Sequence, residues 1–157
     1  MPKKRIASFD VDQTLLDHAT YRIPDSALKA LDELREDCYI VLSTGRDMDN
    51  YYSKQYRDAV QPDAVIHLNG TKITVGDELI YEHEMDKTLL KNIFEYADQA
   101  GYGLGVTIGD EDYYLHPEAV KEMDLARWGR CERRFKDPWV LLEIGVGPPV
   151  SALPVPA

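Results

Sequence analysis

The apolar positions of this chain change period several times, and each change marks an element. Arg5 to Phe9 is a short, mostly apolar run that stops at Asp10 and reads as a buried strand. Behind Pro24-Asp25-Ser26, residues Ala27, Leu28, Leu31 and Leu34 recur at helical spacing. A helix is expected there to about Asp37, capped by Asp25 or Ser26. Tyr39 to Leu42 is a second apolar run, halted by Ser43-Thr44-Gly45-Arg46. Asp47 to Asp58 fits a second helix that packs Tyr51, Tyr52 and Tyr56 on the sheet, and Ala64 to Leu68 fits a third strand. Such alternation with short loops predicts a parallel sheet with helices on its faces. Ligands collect at the carboxyl ends of such strands, which here carry Asp10 and Asp12, Thr44 to Arg46, and Asn69-Gly70.

After Gly70 the texture changes. Thr71 to Val75 and Glu78 to His83 flank Gly76-Asp77 as a hairpin. Asp86 to Ala100 puts Leu89, Leu90, Ile93, Phe94 and Ala97 on one helical face, and Gly101 ends it. Short strands follow at Leu104 to Ile108 and Asp112 to Leu115, Pro117 opens another helix, and Trp139 to Ile144 fits a last strand. Helices laid on antiparallel strands define a second, α+β module. The expected organisation is residues 1–70, 71–144, and a tail of 145–157. The tail holds four prolines and no charge, a composition that neither continues a sheet nor builds a core.

Charge and composition narrow the function. A formal net charge of -10 argues against general affinity for nucleic acid or anionic membranes, which need clustered Lys and Arg. No apolar stretch is long enough to cross a bilayer, and the basic start meets Asp10 too early for a secretory signal, so the cytoplasm is the expected address. Cys38 and Cys131 form no CxxC pair. The four histidines show no metal-ligand spacing.

The segment Phe9-Asp10-Val11-Asp12-Gln13-Thr14-Leu15-Leu16 places two carboxylates two residues apart beyond a strand, where extended geometry would share one side between them. By itself this is also how an ordinary polar strand end looks. A carboxylate so placed can attack a phosphoryl group if a divalent cation offsets the repulsion between anions. Asp12 can protonate the leaving alkoxide and later deprotonate the attacking water. Thr-Gly-Arg alone is a common turn. At the neighbouring tip, the Thr44 hydroxyl and the amides beside Gly45 can bind phosphate oxygens, and the two motifs together favour phosphate chemistry.

These residues carry a family resemblance. Phe-Asp-Val-Asp-Gln-Thr-Leu-Leu resembles motif I of haloacid dehalogenase (HAD) phosphatases, and Val-Leu-Ser-Thr-Gly-Arg resembles motif II. His67-Leu68-Asn69-Gly70 with its hairpin resembles the entry into the cap of the Cof-type, class IIB branch. The resemblance implies a HAD-like Rossmannoid α/β core, here its first three strands, with an inserted α+β cap. It implies hydrolysis of a small phosphorylated metabolite, such as a sugar phosphate or cofactor precursor, through an aspartyl-phosphate. Asp10 is the implied nucleophile and Asp12 the acid/base. Thr14, Thr44, Gly45 and Asn69 would meet phosphate. Magnesium (Mg2+) would sit on the Asp10 carboxylate and the Asp12 backbone carbonyl. Gln13 stands where the family usually has glycine, and modest backbone strain is expected of it.

The family's later lysine and Gly-Asp-x-x-x-Asp motif have no convincing copy. Lys87 or Lys91 with Leu104 to Asp112 is the nearest, and would suit a capless member whose fourth strand is Leu104 to Ile108. Motif spacing favours the cap and a chain truncated before those motifs. In the family's strand order the Asp10 strand lies between strands two and four, so its flank is then open, and self-association through that edge is expected. A non-catalytic remnant or interaction module is the competing reading, and within the enzyme class a phosphomutase or sugar-phosphate transferase with the same opening motif is a further alternative.

Overall fold

The computed structural model describes residues 5–108, 111–131, 133–140 and 150–154. The chain divides into two compact units, Met1–His83 and Glu84–Ala157.

In the first unit, β1 (Arg5–Phe9), β2 (Cys38–Ser43) and β3 (Ala64–His67) pair in parallel, with Phe9 opposite Leu42 and Ser43 opposite Ile66. The hairpin of β4 (Lys72–Val75) and β5 (Glu78–Glu82) continues the same sheet antiparallel, giving the order β1-β2-β3-β4-β5. The hairpin expected to open the second module at residue 71 is therefore hydrogen-bonded to β3, and the boundary between units follows His83.

Helix α1 (Asp25–Leu34) buries Leu31. Neither Asp25 nor Ser26 caps it, because Pro24 takes the N-cap position and makes no side-chain bond; Asp25 instead lies in the first turn, favourable to the helix dipole. Helix α2 (Lys54–Val60) starts well after the expected Asp47. The Asp47 and Asn50 side chains accept the amides of Asp49 (3.0 Å) and Tyr52 (2.9 Å), local bonds that compete with a helical start. Of the three tyrosines expected to pack, Tyr56 is buried while Tyr51 and Tyr52 are exposed.

The first unit's core gathers Val11, Leu15, Leu16, Leu31, Ile40, Leu42, Met48, Tyr56, Val60 and Val65. β1 is not the buried strand its composition suggests. It forms the sheet's edge, Ile6 is 72% exposed, and only Ala7 and Phe9 pack against the core.

In the second unit, β6 (Leu104–Ile108) pairs antiparallel with β7 (Glu111–Leu115) on one side and β8 (Val150–Pro154) on the other. Helices α3 (Lys87–Ala100) and α4 (Pro117–Trp128) complete it. Asp86 caps α3 through the Leu89 amide at 2.9 Å, and Gly101 at φ 70 ends it in the left-handed conformation that glycine adopts without strain. One expectation is corrected here and one disfavoured alternative is set aside. Part of the proline-rich tail forms β8, an edge strand, where proline is tolerated. The capless arrangement fails, because β6 lies between two antiparallel partners and not beside β1. Gly109 and Asp110 lie outside the described residues, as does most of the strand expected at 139–144. Its first residues, Trp139 and Val140, are helical.

Candidate functional site at the strand tips

Beyond β1 the chain folds into a tight loop over one atom. The carbonyl of fully buried Val11 accepts the amides of Thr14 (3.4 Å), Leu15 (3.0 Å) and Leu16 (2.8 Å), and both leucines are buried. This closure forces Gln13 to φ 61, a conformation that costs a non-glycine residue about 1–2 kcal/mol. The strain expected at Gln13 is thus located. Asp10 and Thr14 are exposed, and no bond of the Thr14 side chain ties it to the other tips among the described residues.

Asp12 is engaged. Arg46 Nε and Nη2 donate to its two carboxylate oxygens at 2.6 and 2.7 Å, and His18 Nε2 lies 3.1 Å from Oδ1. The Arg46 hydrogen bonds hold the Asp12 carboxyl below the usual range against the opposing effect of burial. The same bonds raise Arg46, aided by the charge of Asp10.

The second and third tips are stitched together by backbone. The Asn69 amide donates to the Thr44 carbonyl and the Leu68 amide to the Arg46 carbonyl, each at 3.1 Å. Leu68, Asn69 and Gly70 all have positive φ (51, 57 and 97), a strained turn of the kind stored at functional sites. It brings the Asn69 side chain so close that a Cβ on Gly45 would stand 3.3 Å from Asn69 Oδ1. A side chain there would crowd Asn69, which would have to give by a few tenths of an ångström. Thr44 is buried, and its Oγ1 accepts the Arg46 amide at 3.2 Å. The structure thus joins Asp12, Thr44, Gly45, Arg46 and Asn69.

A second polar cluster gathers on the segment that follows Arg46, and sequence spacing gave no hint of it. Fully buried His67 places Nδ1 3.0 Å from the Met48 amide and 3.1 Å from Asp47 Oδ1, with Nε2 3.0 Å from Thr74 Oγ1. Lys72 Nζ lies 3.1 Å from Asp47 Oδ1 and 2.7 Å from Asp49 Oδ2. Arg57 pairs with Asp49 and donates to the Gly76 carbonyl at 2.8 Å and to Asp77 at 2.9 Å. The hairpin is thereby clamped to the loop that follows Thr44.

Burial alone would raise the Asp47 carboxyl. The His67 ring, the Asp49 amide and Lys72 outweigh it and hold the group at about 2, against an ordinary 3.8. A depressed folded value means stability that is present above the unfolded value and lost as pH falls through the folded one. Asp47 should contribute about 2 kcal/mol at neutral pH, lost between about pH 4 and pH 2. Denaturant titrations across that window should show the loss, and Asp47→Asn should flatten it.

Magnesium prefers hard oxygen ligands. The exposed Asp10 carboxylate suits it, and so does the Asp12 backbone carbonyl; the Asp12 side chain is occupied by Arg46 and His18. Asp47, Asp49 and His67 also offer atoms within 4.8 Å of one another, but the Lys72 ammonium already supplies positive charge among them.

A parallel α/β unit with an acidic pair beyond its first strand and Thr-Gly-Arg beyond its second is a Rossmann-like protein with a polar strand-tip site. The family model of haloacid dehalogenase-like hydrolases matches residues 7–137, and the chain belongs to that family. No curated protein matches. Among solved structures, a HAD phosphatase from Bacteroides thetaiotaomicron superposes with a TM-score of 0.72 at 23% identity, over 90% of this chain and 52% of that one. A HAD subclass IIB sugar phosphatase gives 0.69 and 23%, over 94% and 56%. A haloacid dehalogenase-like hydrolase from B. subtilis gives 0.69 and 19%, over 96% and 59%. The chain thus spans little more than half the length of these structures.

Proposed function

We propose that the strand-tip site serves magnesium-dependent hydrolysis of a small phosphomonoester, a sugar phosphate or a phosphorylated cofactor precursor, with Asp10 as nucleophile. The observation that carries the reading is the juxtaposition of Asp12, Thr44, Gly45 and Asn69 within a family of hydrolases. A carboxylate oxygen of Asp10 forms a bond to phosphorus while the ester P–O bond breaks, and the leaving alkoxide takes a proton from Asp12. Water then attacks phosphorus, Asp12 takes its proton, and the Asp10–phosphorus bond breaks. Thr44, the amides around Gly45, and Asn69 would hold phosphate oxygens, with Thr14 at the rim. Magnesium, held by Asp10 and the Asp12 carbonyl, would offset charge between the anions.

A net charge of -10 favours a small metabolite over nucleic acid or a membrane surface, since small anions need only local positive groups. A cytoplasmic setting suits such a substrate. No helix among the described residues is long and apolar enough to cross a membrane.

Beryllofluoride with magnesium, a phosphoryl mimic, tests the reading. The wild-type chain should trap it, seen by 19F NMR, and Asp10→Asn should not. No trapping by either protein would favour a non-catalytic module.

A further inference from the structure

Arg46 stands in the tip of β2 beside Thr44 and Gly45 and within electrostatic reach of Asp10. Its donors are nevertheless directed elsewhere. Nε and Nη2 grip both oxygens of Asp12, Nη1 lies 3.5 Å from Ser53 Oγ, and the guanidinium carbon rests 5.5 Å from the Tyr56 ring centroid. A guanidinium fork fits phosphate oxygens as well as it fits a carboxylate. The Arg46 and Asp12 side chains remain 30% and 33% exposed, so water reaches the pair and screens its attraction. An anion of higher charge at the Thr44-Gly45-Asn69 cradle can therefore compete for it. Asp12, for its part, cannot carry the leaving group's proton while both its oxygens accept from a cation.

We propose that Arg46 is a phosphate-binding residue held in reserve on Asp12: a docking phosphoryl group draws the guanidinium onto its own oxygens and frees Asp12 to handle protons. This rests on the phosphate reading of the strand tips. It assigns Arg46 a ligand contact in addition to Thr44, Gly45 and Asn69. It also gives a reason for a carboxylate needed as an acid to be clamped by Arg46.

The test is a double-mutant cycle on the affinity of the full chain for inorganic phosphate, read by 31P line broadening without magnesium. Thermal melts confirm that each variant is folded, and Arg46→Lys serves as a charge-retaining second variant. Arg46→Met should weaken phosphate binding by roughly five-fold, and Asp12→Asn should strengthen it by a similar factor. In the Arg46→Met background the gain from Asp12→Asn should vanish, and Arg46→Lys should keep part of the affinity. An equal gain from Asp12→Asn in both backgrounds means simple charge repulsion and overturns the exchange. So does unchanged binding in Arg46→Met, or an absence of phosphate binding in every variant. Beryllofluoride trapping on Asp10 reports on the nucleophile separately. Trapping without coupling sinks only the exchange, and coupling without trapping sinks only the nucleophile.

Discussion

His67→Ala is expected to destabilise the first unit by about 2–4 kcal/mol, a large share of a small unit's stability. The ring is fully buried and meets three groups on two segments: the Met48 amide and the Asp47 carboxylate in the loop after Arg46, and the Thr74 hydroxyl on β4. Alanine leaves a void and strips the amide and hydroxyl of a partner where water does not readily replace it. His67→Asn should recover part of the loss, since its carbonyl oxygen can accept the Met48 amide in place of Nδ1. Urea unfolding would measure the series. A cost below about 1 kcal/mol for alanine would mean that the cluster is not cooperative.

Phe94→Ala should cost the second unit about 3–5 kcal/mol. Phe94 is fully buried among Leu90, Ala97, Leu104, Val106 and Leu115, with the Trp139 ring 5.8 Å away. Such a site cannot collapse on the void without moving both α3 and the three-stranded sheet. Hydrogen exchange resolved by segment is the appropriate measurement, because two units need not unfold together. Protection should fall across residues 87–115. Loss of protection in β2 of equal size would contradict an effect confined to the second unit.

The parts of this protein that can be read from its sequence are those whose cause is local. The runs Tyr39 to Leu42 and Ala64 to His67 are strands because their apolar residues have nowhere else to go, and α3 is announced by its stripe, its Asp86 cap and Gly101. Asp10, Asp12 and Thr44 stand out through motif and strand-end position alone. Where the cause is a distant partner, the sequence is silent. Asp12 and Arg46 are 34 positions apart, and Asp47 meets His67 and Lys72 across 20 and 25. Nothing in the spacing distinguishes His67, at the centre of a buried cluster, from His83, exposed just past β5. The late start of α2 was hidden because Asp47 and Asn50 also suit helix starts. Their side chains instead took the amides two residues on. β8 was hidden because a proline-rich tail is disfavoured within a sheet, whereas its one proline, Pro154, is acceptable on an edge strand.

Among the described residues β1 pairs with a strand on one side only, and its second side has a directional meaning. A strand that joined it in parallel, as β2 does on the other side, would finish level with Phe9, and its next residues would emerge beside Asp10. Two copies meeting edge to edge about a twofold axis would instead run head to tail, and each would bring the amino end of its strand to the other's Asp10. Self-pairing would therefore shield Ile6 while lending the site no carboxyl-end residues, and sedimentation would show a dimer whose beryllofluoride affinity does not rise with protein concentration. Only a parallel newcomer could place fresh side chains beside Asp10, so the polarity of any strand meeting this edge would govern whether contact there is packing or chemistry.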